Sequence, residues 1–150
     1  MKNFRIAYSL LLGIFMIPVI GLGQYFYDLK KEMTEFNKSF EQTLNTRDND
    51  KIHSYFFEDA QQILSEGKVL IGQEEIVSDL VNKLFSEANM VAMKINRIHA
   101  TDSLITVWGS FVHIPENPKE EEELTFQNYE KNLLYTDGRW RIQKIRMIRD

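Results

Sequence analysis

The chain has 150 residues, of which 43% are hydrophobic and 27% charged, and this composition predicts one folded domain and excludes a disordered tail. Its 18 basic and 22 acidic side chains give a net charge of −4, which opposes attraction to phosphate backbones, so nucleic acid is not expected as a partner. The absence of cysteine excludes a disulfide framework, a thiol nucleophile and a thiolate metal site.

The N-terminal segment has the layout of a secretory signal peptide. Lys2 and Arg5 precede an uncharged apolar run, which ends in small residues at 21–23. We expect cleavage after Gly23, which leaves 24–150 as a single exported domain, periplasmic or secreted. The alternative is an uncleaved membrane anchor, because the run reaches the lower limit of the about 17–25 residues that cross a bilayer. Both interpretations place the domain outside the cytoplasm, and only the second makes the membrane a partner.

Three helices are expected in the first half of the domain. Apolar residues recur at three- and four-residue steps between Asp28 and Asn45, which is typical of a helix with one buried stripe. Asp48 is the expected cap of a second, shorter helix that closes near Asp59. A short strand is expected at 61–64, and Gly72 opens the third helix.

The second half of the chain is predicted to be rich in strands, because beyond Asn89 the hydrophobic period changes from about 3.6 residues to about 2. Four strands are expected to form a meander, at 90–99, 104–114, 124–135 and 139–148. The last two flank a strong turn signal at 136–138. The proline-containing acidic segment 115–123 is expected to be a solvated loop and not a metal site, because consecutive carboxylates do not converge on one ion.

Three phrases of the sequence resemble the SnoaL-like branch of the nuclear transport factor 2 superfamily. They are FFEDA at 56–60, IGQEEI at 71–76 and DGRWRI at 137–142. The resemblance runs from about Glu35 to Ile148 and implies an α+β cone, in which three N-terminal helices pack on a curved, mainly antiparallel sheet of four to six strands. It also implies a cavity at the wide end and a homodimer formed through the outer face of the sheet. It implies no particular activity.

The catalytic set of the ketosteroid isomerases in this superfamily does not carry over to the chain. Those enzymes combine a carboxylate base with an oxyanion pair made of a tyrosine and a protonated aspartic acid. The position of the tyrosine falls on Phe40, and that of the base falls near Leu64 or Ser65. The position of the aspartic acid falls near Asn128, which still donates a hydrogen bond. The resemblance therefore argues against proton abstraction from a steroid-like ketone.

Asp59 and His113 are the candidates for a catalytic acid or base. Asp59 follows the expected end of the second helix and faces the cavity mouth in this fold, although a turn residue that bonds backbone amides is the plainer interpretation. His113 ends a strand beside the acidic loop, and a surface histidine is its plainer interpretation. The 3 histidines lack metal-binding spacing, so neither a metal nor another cofactor is expected.

An aromatic-rich pocket is expected at the wide end of the cone. The candidate lining residues are Phe40, Tyr55, Phe56, Asp59, Trp108, Phe111, Asn128 and Trp140. The leading hypothesis is an exported domain that binds a small apolar or amphipathic ligand without catalysis. Two alternatives stay open: a SnoaL-like enzyme with isomerase, cyclase or dehydratase chemistry, and an assembly module that dimerises through its sheet.

Overall fold

The computed structural model describes three stretches of the chain, 3–86, 90–115 and 124–148. The chain divides into two compact units, Met1–Glu35 and Phe36–Asp150. The first unit holds the N-terminal part of one long helix, α1, which spans Asn3–Thr46 and whose side chains are described from Tyr25 onward. Within the described stretches, no helix combines the length and the apolar character needed to cross a membrane.

The second unit contains the end of α1 and two further helices, which confirms the three predicted helices. α2 covers Asn49–His53 and α3 covers Gln73–Leu84. Asp48 caps α2 as predicted, because its carboxylate accepts a hydrogen bond from the backbone N–H of Lys51 at 3.2 Å. The predicted opening of the third helix is also confirmed, since α3 begins directly after Gly72.

The prediction that the second helix continues to near Asp59 is wrong. The strand β1 covers Phe56–Ile63 and pairs in parallel with β6, which covers Arg139–Ile148. The backbone N–H of Ile142 donates to the carbonyl oxygen of Tyr55 at 2.7 Å, just before β1 begins. The pairing with β6, which is distant in sequence, outweighs the helical spacing of the local apolar residues. The periodicity of a short segment carries no information about such a distant partner, so it could not predict this strand. Asp59 therefore lies in the middle of a strand.

The sheet has six strands in the order β2-β1-β6-β5-β4-β3. The other strands are β2 at Val69–Ile71, β3 at Met90–Ala100, β4 at Ile105–Ile114 and β5 at Thr125–Thr136. Of the described pairs, β1 with β6 is parallel and the others are antiparallel, so the predicted mainly antiparallel α+β architecture is confirmed. The strands β3 to β6 form the predicted meander. Most of the segment predicted as a solvated loop, 116–123, lies outside the described residues.

Alternation along β5 separates the two faces of the sheet. Tyr129, Lys131 and Leu133 are all buried on the face that packs against the helices, where the Lys131 amine reaches Asn37 of α1. Glu130 points to the opposite face. We call these faces the helix-facing side and the outer side.

Candidate functional site

The helix-facing side of β5 buries an amine. Lys131 is 0% exposed, and its Nζ donates to the Oδ1 of Asn37 at 2.6 Å. The same nitrogen lies 4.6, 5.3 and 5.6 Å from the ring centres of Tyr129, Phe40 and Phe36. Because burial removes the hydration of an ammonium group, desolvation holds the pKa of Lys131 well below its usual value. Its acceptor is an amide and not a carboxylate, so that contact supplies no counter-charge, and the neutral amine is favoured.

A hydrogen-bonded chain connects this amine to the edge strand β3. The Nδ2 of Asn37 donates to the hydroxyl oxygen of Tyr129 at 2.9 Å, and that hydroxyl donates to the backbone carbonyl of Lys94 at 3.4 Å. Burial raises the pKa of Tyr129 to about 12, and the hydrogen bond from Asn37 acts in the opposite direction. The phenol therefore stays protonated at neutral pH. We call Lys131, Asn37 and Tyr129 the interior polar network.

Gly109 makes room for the phenol of this network. It lies opposite Tyr129 in the pairing of β4 with β5. A Cβ atom at Gly109 would lie 2.5 Å from the Tyr129 hydroxyl oxygen and would also overlap the carbonyl oxygen of Lys94. Because neither a Tyr129 ring atom nor the backbone of β3 can yield that much space, the position requires glycine. The bare backbone of β4 thus lets the phenol reach across to β3.

An aromatic cluster from α1 and the start of β1 lies beside the interior polar network. The Phe40 ring centre lies 4.9 Å from that of Tyr55 and 5.9 Å from that of Phe56, and Phe36 lies 5.5 Å from Tyr55. The Tyr55 hydroxyl is hydrogen-bonded to the Oγ of Ser39 at 2.7 Å. Phe40 and Phe56 are buried, whereas Phe36 and Tyr55 are half-buried. Of the rings around the Lys131 amine, Phe36 is therefore the one nearest to solvent.

The interior is closed around the network. Phe40, Phe111, Tyr129 and Lys131 are each 0% exposed, and the rings of Phe111 and Tyr129 lie 4.9 Å apart. Side chains with no exposed surface leave no space for a water molecule beside them. A ligand can therefore reach the amine only if a wall moves, and the half-buried ring of Phe36 is the wall closest to solvent.

The residues predicted to line a pocket fall into separate groups. Four of them pack on the same side of the sheet as α1: Phe40, Tyr55, Phe56 and Phe111. Trp108 and Asn128 alternate with the buried residues of β4 and β5, so both point to the outer side. Trp140 lies at the β5–β6 hairpin, where its ring centre is 5.0 Å from that of Tyr135.

Trp108 belongs to a polar cluster on the outer side. Its indole Nε1 donates to the Oε2 of Glu130 at 3.0 Å, and the guanidinium carbon of Arg97 lies 4.0 Å from the indole ring centre. Arg146 is the cross-strand partner of Glu130 and is exposed. We call Arg97, Trp108 and Glu130 the outer cluster. It makes the centre of the outer side polar.

The two acid or base candidates do not meet. Asp59 is exposed in the middle of β1. His113 is half-buried at the end of β4, and its Nδ1 lies 3.1 Å from the backbone carbonyl oxygen of Leu84 at the end of α3. In the part of the chain that the structure describes, no group of three His, Cys, Asp or Glu side chains is placed to hold a metal ion.

Neither Lys131 nor Asn37 was predicted to be a site residue. Lys131 shares the strand parity of Tyr129 and Leu133, and Asn37 stands three residues before Phe40 on the apolar stripe of α1. Each is thus a polar residue at a position that local periodicity assigns to the core. That conflict between residue type and position is the signal that could have identified them.

Solved structures of other proteins share this fold. A nuclear transport factor 2-like protein of unknown function from Shewanella oneidensis is similar with a TM-score of 0.62 and 16% identity, over 80% of this chain and 98% of that one. A protein of unknown function with a cystatin-like fold from Nostoc punctiforme has a TM-score of 0.61 and 16% identity, over 81% and 90%. A protein from Novosphingobium aromaticivorans, provisionally named a scytalone dehydratase, has a TM-score of 0.59 and 10% identity, over 79% and 81%.

The similarity to known proteins is one of structure. The sequence matches no protein-family model, and no curated protein is significantly similar to it. The chain has the nuclear transport factor 2-like fold. The resemblance that three short phrases predicted is confirmed at the level of the fold.

Proposed function

We propose that the domain binds a small, mainly apolar molecule in the interior of the cone, with the interior polar network as the anchor for its one polar group. The observation that carries the proposal is the amine of Lys131, which is 0% exposed and bound to an amide. A buried amine whose hydrogen-bond acceptor carries no charge costs stability relative to an apolar side chain. Buried ionisable groups with strongly shifted pKa values concentrate at functional sites.

The chemistry of the walls indicates the class of ligand. Small-molecule sites combine apolar and aromatic linings with a few convergent polar groups. Here the rings of Phe36, Phe40 and Tyr129 surround the nitrogen within 5.6 Å, which favours a flat apolar body. The neutral amine and the amide of Asn37 can both donate and accept hydrogen bonds, which suits a carbonyl, carboxylic acid or hydroxyl group.

Binding requires an opening, because Lys131 and Tyr129 have no exposed surface and Asn37 is only 4% exposed. We propose that the ring of Phe36 swings outward and that the ligand ring takes its place beside Phe40. Phe36 is half-buried, so its movement uncovers less apolar area than movement of the fully buried Phe40. The Phe36→Ala variant should therefore bind the ligand faster than the unchanged protein does. The matched control is Phe126→Ala, because Phe126 lies on the outer side and is 54% exposed.

Nuclear magnetic resonance on labelled protein tests the proposal. The protein is titrated with a panel of small aromatic acids, ketones, alcohols and aldehydes. The side-chain amide of Asn37 reports on the interior, and the indole N–H of Trp108 reports on the outer side. We expect at least one compound to shift the Asn37 signals in a saturable way and to leave Trp108 unchanged. A panel that shifts neither signal, or Trp108 alone, would contradict the proposal.

The two alternative functions receive less support. Acid and base catalysis by Asp59 or His113 lacks a geometric basis, because Asp59 is exposed and His113 is bound to a backbone carbonyl. An assembly module requires a broad apolar outer face, and the exposed apolar side chains there, such as Met90 and Phe126 at 53% and 54%, flank a polar centre. The homodimer stays a prediction of the resemblance, which analytical ultracentrifugation tests.

We also propose that the protein is exported, on the basis of its N-terminal sequence. Fractionation of the cells that produce it, followed by N-terminal sequencing, tests this. A mature protein that begins at Gln24 supports cleavage, and an intact chain in the membrane fraction supports the anchor. An intact chain in the cytoplasm contradicts both.

A further inference from the structure

We propose that Lys131 captures an apolar aldehyde or ketone by forming a reversible imine with its carbonyl carbon. The inference rests on the proposed function, because the carbonyl compound must enter the same interior site. It narrows the ligand class from any molecule with one polar group to carbonyl compounds. It also assigns a covalent step to a residue that no motif of the sequence marks.

The geometry presents the amine as a nucleophile. A neutral amine has two N–H donors and one lone pair. One N–H is bound to Asn37 at 2.6 Å, and three aromatic ring centres lie 4.6 to 5.6 Å from the nitrogen. The lone pair and the second N–H are not used by the bond to Asn37, so they are available to an apolar carbonyl compound that lies against the aromatic rings. A lysine that is desolvated in an apolar pocket is activated for this reaction, since the protonated form has no lone pair to offer.

The reaction balances without another reactant. The nitrogen lone pair attacks the carbonyl carbon, the electrons of the carbonyl π bond move to oxygen, and that oxygen takes a proton from nitrogen. The resulting carbinolamine loses the oxygen as water together with the second amine proton, which leaves the C=N bond. Amine and carbonyl compound thus give imine and water, with no change of oxidation state.

One neighbouring residue and the closed interior favour the forward step. The Tyr129 hydroxyl keeps its proton at neutral pH, and it can donate a hydrogen bond to the departing oxygen by giving up its bond to the Lys94 carbonyl, which at 3.4 Å is the longest of the network. The closed interior also limits the access of bulk water, which slows hydrolysis of the imine. Tyr129 is a positioning and proton-donating group in this scheme, and Lys131 forms the bond.

A carboxylic acid in the same site would behave differently. Its proton would pass to the amine and give a buried ion pair, which requires two charges to lose their hydration. A carbonyl compound reacts with the neutral amine that burial already favours. The observations therefore favour a carbonyl ligand, and binding of an acid without covalent capture of a carbonyl compound is an outcome of the test that overturns the proposal.

Borohydride trapping tests the imine. The full-length protein is incubated at pH 7 with benzaldehyde and then reduced with borohydride, and peptide mass spectrometry locates the modified lysines. Lys94, exposed on the neighbouring strand β3, is the internal control. We expect Lys131 to be modified at least tenfold faster than Lys94. In the Phe36→Ala variant we expect faster modification of Lys131 and no change at Lys94.

The outcomes separate the imine from the binding proposal. Preferential modification of Lys131 supports both. If benzaldehyde shifts the Asn37 amide but modifies Lys94 as fast as Lys131, binding stands and the imine is refuted. If benzaldehyde modifies Lys94 alone and shifts no interior signal while an aromatic acid does, binding again stands and the imine is refuted. If no compound reaches the interior by either readout, both proposals are refuted.

Discussion

Lys131 in the interior and Arg97 on the outer side each place a basic group against an aromatic ring, with opposite consequences. The Arg97 guanidinium lies 4.0 Å from the Trp108 ring centre and the Lys131 amine lies 4.6 Å from that of Tyr129. Arg97 is exposed and keeps its hydration, whereas Lys131 is 0% exposed and loses it. A ring attracts a cation by about 0.5–2 kcal/mol, which does not compensate for full desolvation. Loss of hydration therefore favours the neutral form of Lys131 in spite of its contact with the rings.

The contrast predicts large effects of substitution in the interior and small effects on the outer side. Interior groups have hydrogen bonds that water cannot replace, so each loss leaves an unsatisfied polar atom. Outer groups exchange a protein partner for water at little cost.

Gly109→Ala should have the largest effect. The added Cβ would overlap the Lys94 carbonyl oxygen and lie 2.5 Å from the Tyr129 hydroxyl. We expect a loss of about 3 kcal/mol in the free energy of unfolding, measured by urea denaturation. Gly67→Ala is the control, since its Cβ meets nothing within 4 Å and its cost, about 1 kcal/mol, comes from a positive φ of 88° alone. Equal losses of unfolding free energy in the two variants would contradict the close approach of the Lys94 carbonyl on β3 and the Tyr129 hydroxyl on β5 to Gly109 on β4.

Asn37→Leu should cost about 2 kcal/mol, because it removes the acceptor of the Lys131 amine and a donor to Tyr129. Lys131→Met in the same chain should restore part of that loss, since an apolar side chain needs no acceptor. We expect a coupling energy of about 1 kcal/mol or more in the double-mutant cycle, measured by urea denaturation. Additive losses would contradict the contact between the two side chains.

The pH dependence of stability should carry the signature of a buried amine. Because burial lowers the folded-state pKa of Lys131 below 10.5, the unfolded chain binds more protons at pH values between the folded pKa and 10.5. Stability therefore rises with pH in that window, by at most about 1.4 kcal/mol per pH unit. Tyr129 acts in the opposite sense above pH 10, because its folded pKa of about 12 exceeds the usual 10.0.

Urea denaturation between pH 7 and 9.5 isolates the contribution of Lys131. We expect the positive slope to be smaller in Lys131→Met than in the unchanged protein. Lys94→Met is the control, because Lys94 is exposed on β3 and its removal should leave the slope as it was. Identical slopes in all three proteins would mean that Lys131 titrates in the folded state as it does in the unfolded chain.

Glu130→Gln should have the smallest effect. The amide still accepts a hydrogen bond from the Trp108 indole, and what is lost is one charge in a part-buried position on the outer side. We expect a change below about 0.5 kcal/mol in the free energy of unfolding. A loss as large as that of Asn37→Leu would remove the distinction between the two sides of the sheet.

Much of the fold could be predicted from local patterns. Capping residues and stripes of apolar residues predicted the helices, and the turn signal at 136–138 predicted the hairpin of β5 and β6. The start of β1 at Phe56 could not be predicted in this way, because its partner β6 is distant in sequence and helical and strand spacings coincide over a few residues. Parallel pairing of the two strands is a tertiary fact that local propensity does not encode.

The candidate site was harder to predict than the fold. Phe40, Phe56 and Phe111 were expected to line a ligand pocket, and the structure buries all three, while the pocket itself stays a prediction. Trp108 was expected with them, but the alternation of β4 directs it outward, since Phe111 three residues later has the opposite parity. Lys131 was overlooked because lysine is almost never fully buried without a partner charge.

The measurement that tests the central claim most directly is a titration of the Lys131 side chain by carbon nuclear magnetic resonance, in which the Cε shift follows the charge of the amine. If the amine is buried against Asn37 and aromatic rings, its pKa lies well below 10.5, and its signal stays in the neutral position at pH values where those of exposed lysines show the charged form. A Lys131 signal that titrates together with the exposed lysines would contradict the buried neutral amine, and with it the anchor on which both proposals rest.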